Sequence, residues 1–121
     1  YTPIGFNRYE REDIFAELTR DGFPIRQTFY ELDKDTLGTA GLYVQSASHF
    51  NVLHDDESYL GIIYAFETEK KLETTYDILM SRSILENGKV FRVGNFILEI
   101  EGAAPSAVLD EFAKTSASFL R

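Results

Sequence analysis

Val90-Phe91-Arg92-Val93-Gly94-Asn95-Phe96-Ile97-Leu98-Glu99-Ile100 reads as a β-hairpin. Two arms rich in β-branched and aromatic residues flank a Gly-Asn pair, and glycine accepts the positive φ that a type II′ turn demands at its first central position. The turn fixes the register, setting Val93 opposite Phe96 and Phe91 opposite Leu98. Phe91, Val93, Phe96, Leu98 and Ile100 then share one side, which reads as core. Val90, Arg92, Ile97, Glu99 and Glu101 share the other, a mixed set open to water or a partner.

Working outward, residues 59–67 carry Leu60, Ile62, Tyr64 and Phe66 on one face and Tyr59, Ile63 and Ala65 on the other, the pattern of a strand inside a sheet. Thr68 caps a helix whose Leu72, Tyr76, Leu79 and Met80 fall on one side and which is expected to end near Asn87-Gly88. After the hairpin, Pro105 opens a helix striped by Val108, Leu109, Phe112, Phe119 and Leu120. Near the start, Asn7 and Glu10 have capping-box spacing for a helix over 8–21, with Ile14, Phe15 and Leu18 as its apolar stripe and Gly22 as its stop. Residues 25–32 read as a strand, 33–39 as a turn and 42–46 as the returning strand, whereas 47–58 fits neither period and reads as irregular.

These elements predict one α+β domain over 1–121, with a mainly antiparallel sheet of about five strands and three amphipathic helices packed mostly on one face. A split βαβ arrangement is one member of that class. The chain shows no repeat, low-complexity tract or linker that would mark a second domain.

The 121 residues carry 12 Lys+Arg against 20 Asp+Glu, a net charge of −8. That balance argues against a partner made of phosphates, so neither nucleic acid nor an anionic membrane surface is expected. The acidity is uneven, with 11 acids and 5 bases through Leu60 and 9 and 7 thereafter. No apolar run reaches the roughly 18 residues of a membrane span, and no transmembrane segment is expected. The chain starts at Tyr1 rather than methionine, which reads as the exported part of a processed protein, secreted or lipid-tethered outside the cytoplasm with its N-terminal leader cut away; a trimmed cytosolic domain is the alternative reading.

No motif names a reaction. The absence of cysteine removes thiol nucleophiles, disulfides and Cys-ligated metals. Asp33, Asp35 and Gly38 have the opening spacing of a calcium loop, but Leu37 and Val44 stand where oxygen ligands belong, so an acidic turn is the better reading. His49 and His54 are the only imidazoles, and their five-residue spacing places them on opposite sides of a strand and about 140° apart on a helix. No serine sits in a nucleophile elbow and no glycine loop cradles a phosphate. No catalytic residue, metal or cofactor is therefore assigned.

If the helices cover the face made by Phe91, Val93, Phe96, Leu98, Leu60, Ile62, Tyr64 and Phe66, the reverse face displays Tyr43, Tyr59, Ile63, Val90 and Ile97 around Arg92. Aromatic and aliphatic side chains around an arginine have the composition of a protein contact surface. The alternative is that one helix, or residues 47–58, crosses to that side and buries it. The expectation is a non-catalytic domain that binds a protein partner or a second copy of itself through a sheet face. The rival reading is a small-molecule-binding or hydrolytic domain with a cleft near His49, His54 and Asp55.

Overall fold

The computed structural model describes residues 9–26 and 34–119. Helix α1 (Arg11–Arg20) is followed by the two-residue β1 (Ile25–Arg26), a 3₁₀ segment (Lys34–Leu42), β2 (Ser46–His54), β3 (Glu57–Ala65), α2 (Glu69–Ser81), β4 (Lys89–Val93), β5 (Phe96–Ile100) and α3 (Ser106–Ser118). Four full strands form an antiparallel sheet in the order β2-β3-β5-β4, and β1 pairs with the outer edge of β2 through Ile25 opposite Val52. The architecture is α+β, with three α-helices. Of the strand expected over 25–32, Ile25 and Arg26 are seen paired and 27–32 lies outside the described residues.

The β4–β5 hairpin is as read from its turn. Gly94 takes φ 60° while Asn95 stays at negative φ, and Val93 opposes Phe96 with Phe91 opposite Leu98. The turn also anchors the chain that leads into α1. Asn95 is buried and exchanges two hydrogen bonds with the Tyr9 backbone, its Oδ1 accepting from Tyr9 N–H and its Nδ2 donating to Tyr9 O, each at 3.2 Å. A side chain on Gly94 would strike the Tyr9 ring, whose Cδ2 stands 2.6 Å from an ideal Cβ.

Residues 47–58, expected to be irregular, form most of the longest ladder in the sheet. Ser46 opposes Ala65 and the pairing runs unbroken to His54 opposite Glu57. The reversal is Asp55-Asp56, with φ of 50° and 65°, a two-residue turn of the primed kind built without glycine because Asp tolerates the left-handed region. Phe50 lies over Gly61, filling the space that a side chain would occupy. The expected strand over 42–46 is also corrected: a 3₁₀ segment, kinked at Gly38 (φ 62°), runs to Leu42, and β2 starts at Ser46. The side chains of Asp33 and Asp35, which suggested a calcium loop, lie outside the described residues.

Two helix boundaries shift. Helix α1 starts at Arg11 and its reciprocal cap is Glu10 with Asp13, whose carboxylate accepts from Glu10 N–H at 2.8 Å; Asn7 lies outside the described residues. Helix α2 takes its predicted cap, with Thr68 Oγ1 accepting from Lys71 N–H at 3.2 Å, but it stops at Ser81 rather than near Asn87. The reason is competition for donors: Leu85 N–H is taken by the Glu99 carboxylate of β5 at 2.6 Å.

The core has two parts, one on each side of the sheet. On one face α1 and α3 set Ile14, Phe15, Leu18, Val108 and Phe112 against Phe50, Val52, Ile63, Val93, Phe96, Leu98 and Ile100. On the other, α2 and the 3₁₀ segment set Leu72, Leu79 and Leu37 against Ala47, Ile62, Tyr64, Phe66 and Ile97. Two of the three helices share a face, and the third, α2, covers the reverse side, so the face expected to stay open is packed as well.

Candidate contact surface

The reverse face read from the sequence is not assembled as an exposed patch. Ile63 opposes Leu98 and is buried beneath α1 and α3. Tyr59, on the same face, is half-buried. Ile97 opposes Tyr64 and lies fully buried beneath α2, where Val90 packs against the same cluster. Both faces of β3 are apolar, so alternation alone sorts its residues into two sets without saying which set shares a face with Leu98. The Ile63–Leu98 pairing decides it, and Leu60, Ile62, Tyr64 and Phe66 lie opposite the phenylalanine face. Arg92 serves this packing: its guanidinium reaches Glu69 Oε1 at 2.9 Å and Glu73 Oε1 at 3.7 Å, both on α2, tying the helix to the edge strand.

Glu99, expected on a side open to water, is instead fully buried. Tyr64 O–H donates to Oε1 at 2.7 Å and Leu85 N–H to Oε2 at 2.6 Å. Burial pushes the Glu99 carboxyl above its ordinary value, partly opposed by these donors and by the Ile84 N–H. Burial also raises the Tyr64 phenol, with the Glu99 charge adding to it. The consequence is mechanical. A carboxylate inside the fold fixes the loop that follows α2, with Ser83 Oγ donating to Leu85 O at 2.9 Å and Gly88 N–H to the same oxygen at 3.0 Å.

The histidine cleft does not form either. His49 opposes Ile62 on the α2 face and His54 opposes Glu57 on the other, about 17 Å apart along the strand. His54 stacks on Phe23 with ring centroids 5.1 Å apart and lies 3.3 Å from Asp55, while burial lowers the His49 imidazole. Among the described residues no group of three or more His, Asp or Glu is gathered as a metal site.

What the α2 side leaves in water is a different surface. The large apolar side chains exposed among the described residues are Leu42 (71%), Tyr43 (38%), Met80 (60%) and Ile84 (37%). Leu42 ends the 3₁₀ segment and Tyr43 follows it just before buried Val44, Met80 lies in the last turn of α2, and Ile84 lies in the loop held by Glu99. A groove of about 320 Å³ runs between the two elements, lined by Leu37, Gly38 and Thr39 on one side and Ile78, Arg82, Ser83 and Ile84 on the other. Of the residues expected at a contact surface, Tyr43 alone belongs here. Met80 is visible in the sequence as part of the α2 stripe, but there its apolar character points to the core.

Compared with protein-family models, with curated proteins and with solved structures, the chain matches none. No helix among the described residues is long and apolar enough to cross a membrane.

Proposed function

We propose that the chain is a non-catalytic domain that contacts another protein surface, a second copy of itself included, through Leu42, Tyr43, Met80 and Ile84. One observation carries this reading: the large apolar side chains exposed among the described residues all belong to the α2 side of the sheet, Leu42 and Tyr43 where the 3₁₀ segment ends and Met80 and Ile84 where α2 ends, while the α1 and α3 side contributes none. Exposed apolar residues confined to one side of a fold mark that side as a candidate contact surface, and Ile84 here also lines the groove. Methionine and tyrosine suit the role, the first by adapting its shape and the second by offering both ring and hydroxyl. Arg82, exposed at the groove, adds a donor of the kind enriched at protein interfaces.

A photo-reactive side chain placed at position 80 or at exposed position 113 on α3, in cells that make the protein, tests the reading. A covalent product of defined mass from position 80 and none from 113 is expected; equal yields from both, or none from either, would contradict it.

A further inference from the structure

Where α1 ends against α3, away from the surface just described, two carboxyl groups meet. Asp21 caps the C-terminus of α1 and Glu111 lies within α3, one turn before the Lys114 that pairs with Asp21, and the two carboxyl groups lie within interaction range of each other. Asp21 Oδ2 and Glu111 Oε1 are both out of water with no N–H or hydroxyl donor closing on them among the described residues. Lys114 Nζ stands 3.4 Å from Asp21 Oδ2, long for a hydrogen bond but close for an ion pair. Two ionised carboxylates have no proton to place between them and repel. A single shared proton satisfies both orphaned oxygens at once. Its position follows from the surroundings: Lys114 and Arg20 favour the Asp21 anion, while Glu111, only 8% exposed, is favoured neutral.

We propose that Asp21 and Glu111 form a proton-operated clasp, which holds the end of α1 on α3 while Glu111 carries the shared proton and loosens when that proton is lost. Burial first, and the neighbouring Asp21 next, push Glu111 up to about 7, and the Glu111 side chain is the largest cause lowering Asp21. The other charged groups around the pair leave this picture in place. Glu17 on α1 further disfavours a Glu111 charge and is itself paired with Arg20. From β4, which packs on α3, Phe91 meets Phe112 edge-on, Lys89 is exposed at the strand's start, and Arg92 turns to Glu69 on the opposite face. The Arg26 side chain of β1 lies outside the described residues.

The sign is set by the direction of each shift. The Glu111 value in the folded chain exceeds its ordinary 4.5, so its stabilisation is whole below that value and is lost as pH rises through about 7. Asp21 is lowered, so its contribution is lost only as pH falls into the acid range.

Two measurements on the full chain test the clasp. A carboxyl-carbon NMR titration of wild type is expected to place the Glu111 midpoint near 7. Thermal unfolding across the same pH range is expected to show a Tm that falls through neutrality in wild type and stays flatter in Glu111→Gln, whose amide donates to Asp21 at every pH. A Glu111 midpoint near 4.5, or an equal fall in both proteins, would overturn the proposal. Should the variant not fold, the wild-type titration decides alone.

Discussion

On one side of the sheet α1 and α3 lay Ile14, Leu18, Val108 and Phe112 over Phe50, Ile63 and Leu98, and among the described residues no large apolar side chain of that layer stays in water. On the other side α2 shares the covering with a 3₁₀ segment, encloses the Glu99–Tyr64 pair, and leaves Leu42, Tyr43, Met80 and Ile84 exposed. Rigidity and availability therefore lie on different sides of the sheet. Two helices of complementary stripes leave no large apolar side chain of their layer fully exposed, though Phe91, Leu109 and Phe119 stay partly open at its edge. One helix with a polar latch holds its loop in place by directional hydrogen bonds, and its rim keeps apolar groups free to meet something else.

Charging the floor of the α2 layer should cost the fold most. Ile97→Glu buries an unpaired carboxylate beneath α2, and a loss of more than about 4 kcal/mol, read as failure to fold in circular dichroism, is expected. Had Ile97 faced water, the same change would have spared the fold. On the α1 and α3 face, Gly61→Ala sets a Cβ 2.5 Å from the Phe50 Cζ; urea unfolding should report a loss of about 2–3 kcal/mol as the ring is forced aside. Tyr64→Phe sharpens the contrast at smaller scale: Glu99 Oε1 loses its hydroxyl donor while Oε2 keeps Leu85 N–H. The expected loss is about 1–2 kcal/mol, with faster exchange of the Leu85 amide as the sign that the latch has slackened.

Much of this arrangement is legible in the sequence, and what stays hidden has physical reasons. Gly94 announces its turn because glycine is the residue that the turn geometry favours, and the faces of β4 and β5 follow from it. Asp55-Asp56 makes an equally tight reversal, but without glycine it reads as an acidic loop, and the strand before it is lost to view. The two-sided apolar pattern of β3 places it inside the sheet without revealing which face meets Leu98, and that ambiguity puts Ile63 and Ile97 on one surface when they lie on opposite ones. Glu99 reads as solvent-facing because a carboxylate seldom goes inside. Only its meeting with Tyr64 and the Leu85 N–H explains why it does. Of the proposed contact surface, Tyr43 is legible, while Met80 and Ile84 are hidden by their resemblance to ordinary core residues.

Met80 offers the most direct test of the claim that the α2 rim is a working surface, since it is the one methionine in the chain and is 60% exposed. Its conversion to the sulfoxide by a mild oxidant, followed by mass spectrometry, reports how freely water reaches it. Oxidation is expected to be rapid in the purified, dilute protein and markedly slower in the cells that make it, where the proposed partner would cover the surface. Equal rates in the two settings would contradict the account.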